Sequence, residues 1–332
     1  MSAKVKVLVT GVTGYIGGAV VDRFLARPDA SSFDIRAIVR SAEKGEKLKA
    51  FGITPIVGSH NDEKVTVKAA SEVDVVITMA NVDDLEAAKA VLEGLKKRFE
   101  ETGKPPLLIH TSGTGVLSDD AAGKHQTDTV YDDKNPNQIE SLAPTQMHRN
   151  VDLEVVAADN EGNVVTNTRT FALIFMNFNV SAIGYIKSYI ILPSTIYSIA
   201  EGPLFRAGIS RPHSQQVPAL IRASLDRKQA GIVGDGVNLW PNVDILELAD
   251  LYSILYDSAT KNPDQTGHGR EGFYFGVNGE HRLYDVGKAI GEALVDLGIT
   301  KTPEPTTFTQ QEIEKYFQAS HSEEISRPVI PT

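Results

Sequence analysis

Short apolar runs rich in β-branched residues alternate, from Lys4 onward, with longer segments whose apolar positions recur at helical spacing. The run "VKVLVT" ends in a glycine turn and leads into "GYIGGAVVDRFLAR". Strand-like "FDIRAIVR" (33–40), helix-like "AEKGEKLKAFG", strand-like "TPIVGS", a helical stretch through Ala70 and strand-like "DVVITMA" (74–80) follow. Next, "DLEAAKAVLEGLKKRFEETG" gathers its apolar residues into one stripe and closes on basic residues and a glycine, as a helix end should. "PLLIHTSGTGV" then supplies a fifth strand, "PTQMHRNVDLEVVAAD" a further helix and "YIILPSTIY" a sixth strand with its turn. Repeated β-then-α units predict parallel strands with right-handed crossovers, hence an α/β doubly wound parallel sheet that holds its ligand at the strand C-terminal ends.

After about Tyr197 the rhythm loosens into "EGPLFRAGISRPHSQQVP", a helix to about Arg227, "GIVGDGVNLWPNVDI", two more helical segments and the strand-like "GFYFGVN". The pattern divides the chain into a first domain, residues 1–200, a smaller and partly interleaved lobe, residues 201–300, and a peripheral tail, residues 301–332. One segment breaks the alternation. Asn163 to Gly184, "NVVTNTRTFALIFMNFNVSAIG", is long and strongly apolar where connections usually span about 2 to 6 residues. It reads either as an extra strand or hairpin on the sheet edge or as a translated intron.

Composition narrows the chemistry. With 332 residues, 41% of them hydrophobic, the chain can bury a large core. It contains no cysteine, which excludes disulfides, thiolate metal sites and cysteine nucleophiles. A formal charge of −10 argues against a nucleic-acid surface. Neither a signal-peptide pattern nor the roughly 18 to 20 uninterrupted apolar residues of a membrane span is evident, so the expectation is a cytoplasmic protein with no membrane partner. Scattered His110, His125 and His213 show no ligand spacing, and no metal is expected.

The candidate chemistry begins in "TGVTGYIGG". Gly11 suits a tight turn, Gly14 a close backbone approach to a pyrophosphate and Gly17 close packing of helix on strand; Thr13, Tyr15 and Ile16 complete the turn and the helix start. Free N–H groups at that helix start would face the phosphates. The second strand ends in Arg40, where a carboxylate would favour NAD and a cation accommodates the 2′-phosphate of NADP. Arg40 with Lys44 therefore predicts NADP(H) as the preferred cofactor, with NAD(H) the alternative.

The spacing TGxxGxxG in a strand-to-helix context resembles the short-chain dehydrogenase/reductase superfamily, especially its extended epimerase/dehydratase-like and atypical branches. The resemblance runs to about Leu297 and implies that residues 1–200 form a nucleotide-binding Rossmann domain with a nicotinamide cofactor and that residues 201–300 form a substrate lobe folded over it. It implies that Asp62 contacts adenine, that Met79, Ala80 and Asn81 run along the cofactor's ribose, and that Pro193, Ser194, Thr195 and Tyr197 meet the nicotinamide amide. Asp62 reads equally well as a helix N-cap. The resemblance also implies a Ser or Thr after the fifth strand, matched by Thr111, Ser112 and Thr114 in "HTSGTG", and a YxxxK couple on the next helix. That couple is missing: helical register puts His148 in place of the Tyr and Asp152 in place of the Lys, a pair able to meet as i and i+4 neighbours. Tyr131 in "YDDKN" has the wrong spacing to Lys134 and is a candidate substrate-loop contact, whereas "YDVGK" at Tyr284 to Lys288 comes too late. Trp240 and Asp244 lie in a segment resembling the element that closes the site, with packing the simpler role for Trp240.

These readings together predict an NADP(H)-dependent oxidoreductase acting on a small carbonyl or alcohol. Thr111 or Ser112 would polarise the substrate oxygen, and His148, Tyr131 or water would move the proton. The alternatives are a catalytically silent NADP(H)-binding sensor and a sugar-nucleotide epimerase or dehydratase. Arg40 speaks against the epimerase, although Arg206, Arg211 and Arg222 leave room for a second diphosphate. The substrate and the oligomeric state are open.

Overall fold

A computed structural model describes residues 3–160 and 184–318. Strands β1 (Val5–Thr10), β2 (Phe33–Val39), β3 (Thr54–Val57), β4 (Val75–Thr78), β5 (Leu107–Thr111) and β6 (Lys187–Pro193) alternate with α1 (Tyr15–Leu25), α2 (Ala42–Lys49), α3 (Glu63–Ser71), α4 (Leu85–Thr102), the short α5 (Pro136–Glu140) and α6 (Arg149–Asn160). Then come β7 (Thr195–Tyr197), α7 (Pro203–Arg206), α8 (Gln216–Arg227), β8 (Gly231–Ile232), β9 (Leu239–Asp244), α9 (Ile245–Lys261), β10 (Phe273–Gly276), β11 (Gly279–Arg282), α10 (Leu283–Asp296), β12 (Thr306–Thr307) and α11 (Gln310–Ile313).

Seven strands form one parallel sheet in the order β10-β6-β5-β4-β1-β2-β3. Alternation along each strand feeds two apolar layers: Val7, Val9, Ile77 and Ile109 point into one, Leu8, Val76 and Leu108 into the other. Residues of α1 and α9 fill the first layer, residues of α3, α4 and α6 the second. Short strands make two further sheets, β11-β9-β7 and β12-β8.

The parts before and after residue 200 interleave. Strand β10 joins the main sheet beside β6, in register from Phe273 against Ile190, and α9 lies against α1 in the main core. Arg27 helps hold that contact: its guanidinium sits 5.7, 5.6 and 5.5 Å from the rings of Phe24, Phe33 and Tyr256 and pairs with Asp29 and Asp257 at 2.8 and 2.7 Å. Aromatic stacking and charge are satisfied at one residue, so a single side chain ties the two halves of the chain. The smaller lobe has its own core, in which Phe308 and Phe317 pack with residues of α8 and α10. Residues 301–318 are therefore integral to that lobe, where sequence composition suggested a peripheral tail. Among the described residues no helix is long and apolar enough to cross a membrane.

The questioned segment, apart from Gly184, lies outside the described residues. Its two flanks meet: a Cβ added at Gly184 would fall 1.6 Å from the Asp159 carbonyl oxygen. A chain leaving α6 and re-entering at Gly184 therefore departs from and returns to one point. Replacing residues 161–183 with a short Gly/Ser linker should keep a single cooperative unfolding transition. Because each doubling of loop length costs only about 0.6 kcal/mol, urea denaturation should show stability changed by less than about 2 kcal/mol. Loss of the cooperative transition would show that the segment is part of the fold.

Candidate active site

A cleft of 780 Å³ runs along the C-terminal edge of the main sheet, from the turn after β1 to the ends of β5 and β6. At one end Gly11, Thr13, Gly14, Tyr15 and Ile16 line it. Gly11 has φ +79° and comes so close to the end of β4 that an added Cβ would lie 2.3 Å from the Met79 carbonyl oxygen. At Gly17 an added Cβ would lie 2.1 Å from the Gly11 carbonyl oxygen, so this glycine seats the helix on the turn rather than facing the cleft. Helix α1 opens at Gly14 with no side-chain cap and no acidic residue in its first turn. Its first N–H groups are open to an anion, and the arrangement fits a dinucleotide pyrophosphate. Arg40 lines the cleft at the end of β2, and Ala80 and Asn81 line it after β4.

The other end holds hydroxyls, an imidazole and two carboxyls. Thr111 Oγ1 and the buried Tyr252 hydroxyl lie 2.7 Å apart. Ser112 Oγ donates to Asp152 Oδ2 at 3.1 Å, while the other carboxyl oxygen of Asp152 has no partner among the described residues. His148 lies immediately before α6 with φ +64°, an uncommon conformation for a residue with a side chain, and its carbonyl accepts from the amides of Val151 and Asp152. Its Nδ1 is 2.6 Å from Asp83 Oδ1. The carboxylate accepts, which places the Nδ1 proton between them and turns Nε2 toward the cleft lining at Gly113 and Gly115. A Cβ at either glycine would come within 3.1 and 3.2 Å of Nε2, so both glycines leave room for the ring.

The expected His148–Asp152 couple is thus replaced by two pairs. His148 stands just before the helix in a left-handed conformation, and each side chain takes a different partner. Pro193, Ser194 and Thr195 line the cleft; Ser194 Oγ donates to Gly276 at 2.8 Å and Thr195 Oγ1 to Gln216 Oε1 at 2.8 Å. Several expected residues stand elsewhere. Asp62 caps α3 by accepting from Val65 N at 3.2 Å and does not line the cleft. Lys44 Nζ donates to Ile209 O at 2.8 Å behind the cleft wall. Tyr131 is outside the lining, its polar segment running along the surface. Tyr284 and Lys288 both bond the exposed Glu304, which accounts for that YxxxK without chemistry. Trp240 does line the cleft, whereas Asp244 caps α9. Sequence reasoning missed Asp83, whose pairing with His148 spans 65 positions and has no local signature.

Burial raises the Asp152 carboxyl to about 7; the Ser112 hydroxyl and the charges of His148 and Arg149 oppose this, and Asp83 adds to it. An unfolded carboxyl releases its proton near pH ~4. Across that interval the folded chain keeps a proton that the unfolded chain has lost, so this group lowers stability as pH rises. Asp152→Asn keeps an acceptor for Ser112 and should remove the effect. Urea midpoints of the two proteins should agree best below about pH 4 and favour the variant by about 2–4 kcal/mol above neutrality, and parallel pH profiles would show that the carboxyl ionises freely.

Comparison with known proteins agrees with this geometry. Residues 3–96 match the model of the NmrA-like family. Oxidase ucsJ of Acremonium sp is 26% identical over 304 residues, covering 89% of this chain and 80% of the relative. Isoflavone reductase homolog P3 of Arabidopsis thaliana is 38% identical over 136 residues, 37% of this chain and 43% of the relative. Among solved structures, dTDP-glucose 4,6-dehydratase of Bacillus anthracis, in complex with NAD, superposes with a TM-score of 0.55 at 16% identity, covering 94% of this chain and 90% of that one. The parallel sheet and the glycine turn under its first helix are thus a Rossmann-like α/β fold shared with this structural neighbour, and the N-terminal residues 3–96 carry the match to the NmrA-like family.

Proposed function

We propose that the protein is an NADP(H)-dependent oxidoreductase that interconverts a small carbonyl and its alcohol. The observation that carries this reading is the continuity of the cleft, which joins the glycine turn and Arg40 to Thr111, Ser112 and His148. Relatives named as an oxidase and an isoflavone reductase homolog, and a structural neighbour in complex with NAD, support it. A bound nicotinamide would supply or accept the hydride.

The chain's own residues would do the rest. Glycine-turn amides and Arg40 would hold the phosphates, while Ala80, Asn81 and the 193–195 turn would border the ribose and nicotinamide. Thr111, accepting from the Tyr252 hydroxyl, would donate its own hydroxyl proton to the substrate oxygen, and Ser112 Oγ, anchored by Asp152, would border it. In the reductive direction His148, doubly protonated, would give its Nε2 proton to that oxygen as hydride reaches the carbon. In the oxidative direction the neutral ring would take the proton back. Asp83 acts as a positioning residue, setting the ring's tautomer and aim through Nδ1.

One observation favours a second reading, a cofactor-binding sensor without turnover. By the resemblance, the Tyr and Lys positions hold His148 and Asp152, and Tyr15, the one tyrosine lining the cleft among the described residues, has its hydroxyl 2.8 and 2.7 Å from the carbonyls of Tyr197 and Ser198.

Titration of the purified protein with NADPH and NADH should show tighter binding of NADPH. Arg40→Ala should remove most of that difference, and equal binding of the two cofactors by the parent protein would refute the NADP(H) assignment. A carbonyl panel followed by NADPH oxidation should then find turnover. With a substrate in hand, His148→Ala should lower kcat by about 10² or more while leaving the NADPH Kd unchanged, and Asp83→Asn should fall between. Selective binding without turnover across the panel would move the assignment to the sensor, and an unchanged His148→Ala rate would remove the imidazole from the reaction.

A further inference from the structure

The loop after α7 is fastened to the cofactor end of the cleft at three points. Ser210 Oγ donates to the Val12 carbonyl at 2.7 Å, Arg211 N donates to the Thr13 carbonyl at 3.2 Å, and Lys44 Nζ donates to the Ile209 carbonyl at 2.8 Å. Gly18 makes room for this approach, since a Cβ there would lie 2.5 Å from the Ser210 Cβ. The loop therefore forms a wall of the cleft, and it brings Arg211 into the lining with Thr13, Gly14 and Arg40.

Three cations from three elements converge here: Arg40 after β2, Lys44 in the first turn of α2 and Arg211 on the loop. Burial first, and then the nearby charges of Arg211, Lys47 and Arg40, hold the Lys44 ammonium below its ordinary pKa, with Glu43 opposing. The charges of Lys44 and Arg211 repel one another at this end of the cleft, and an anion bound there would relieve that repulsion. Lys44 is set back from the cleft and commits a donor to the loop backbone, whereas the Arg211 guanidinium lines the cleft without a hydrogen-bond or ion-pair partner among the described residues. Guanidinium geometry suits paired hydrogen bonds to phosphate oxygens.

We infer that Arg211, together with Arg40, grips the phosphomonoester on the 2′ position of the adenosine ribose, and that Lys44 is a positioning residue holding the loop that carries Arg211. This rests on the NADP(H) reading above and assigns the second phosphate cation to the C-terminal half of the chain. The pyrophosphate already has the turn and the open amides of α1, and the charge of Arg211 is felt by Lys44, on the Arg40 side of the turn.

The test is calorimetric titration of wild type, Arg211→Ala and Lys44→Met with NADPH, NADH and 2′,5′-ADP. Arg211→Ala should weaken NADPH and 2′,5′-ADP about tenfold or more and leave NADH within about twofold. Lys44→Met should show the same selective loss to a smaller degree, through the loop. Because the Arg211 side chain is exposed and the loop contact uses its backbone, the unliganded variant should melt with wild type. Equal losses for NADPH and NADH would place Arg211 on the pyrophosphate and overturn the inference, as would unchanged NADPH binding. A wild-type protein without NADPH preference would instead bring down the underlying reading.

Discussion

Everything at the reacting edge depends on one close contact, the approach of Gly11 to the carbonyl of Met79. No side chain larger than hydrogen can stand there, because its Cβ would overlap the β4 backbone. The contact brings the ends of β1 and β4 together over the start of α1, and Thr10 Oγ1 secures it by accepting from Met79 N at 3.2 Å. From that point the C-terminal ends of β2, β4, β5 and β6 are carried by the twist and spacing of a parallel sheet. The positions of Arg40, Asn81, Ser112 and Pro193 along one cleft are consequences of register rather than of separate local devices.

This division explains what the sequence shows and what it hides. Strands β1 to β6 and helices α1 to α4 announce themselves because strand and helix periods are local, and the glycine turn because its geometry demands glycine. The start of α6 is misjudged by several residues: "PTQMH" is compatible with a helix, but His148 takes a left-handed conformation and turns the chain first. The return of β10 to the main sheet and the packing of α9 on α1 come from contacts between distant segments, which no short window records. The cleft follows the same rule. Arg40 and Ser112 are legible from strand ends, while Asp83 beside His148, Tyr252 behind Thr111 and Arg211 beside Thr13 are products of the finished fold.

The polar groups behind the cleft are strongly constrained. Tyr252, Asp152 and His110 are buried, and burial lowers the His110 imidazole to about 4, so it stands neutral beside Thr78 at 2.8 Å. Each hydroxyl at the end of β5 has a fixed companion from another element: Tyr252 of α9 for Thr111 and Asp152 of α6 for Ser112. In a low-dielectric setting such bonds orient strongly, and an unpartnered group is costly. Helices from both halves of the chain, α6 and α9, thus fix the hydroxyls at the end of β5.

Asp152, standing where the resembled family would have a Lys, would change which group can carry a proton in the proposed reaction. An ammonium beside a phenol favours loss of the phenolic proton; a carboxyl in that place cannot do so. Two ionised carboxylates near one imidazole would place uncompensated negative charge beside the cleft. Burial avoids this by holding Asp152 largely protonated below neutrality, while the half-exposed Asp83 makes the direct bond to His148. One carboxyl therefore anchors the serine with little charge and the other orients the ring from the solvent side. In the proposed reaction, that asymmetry leaves His148, rather than either carboxyl, as the group at the cleft wall that would pass the proton.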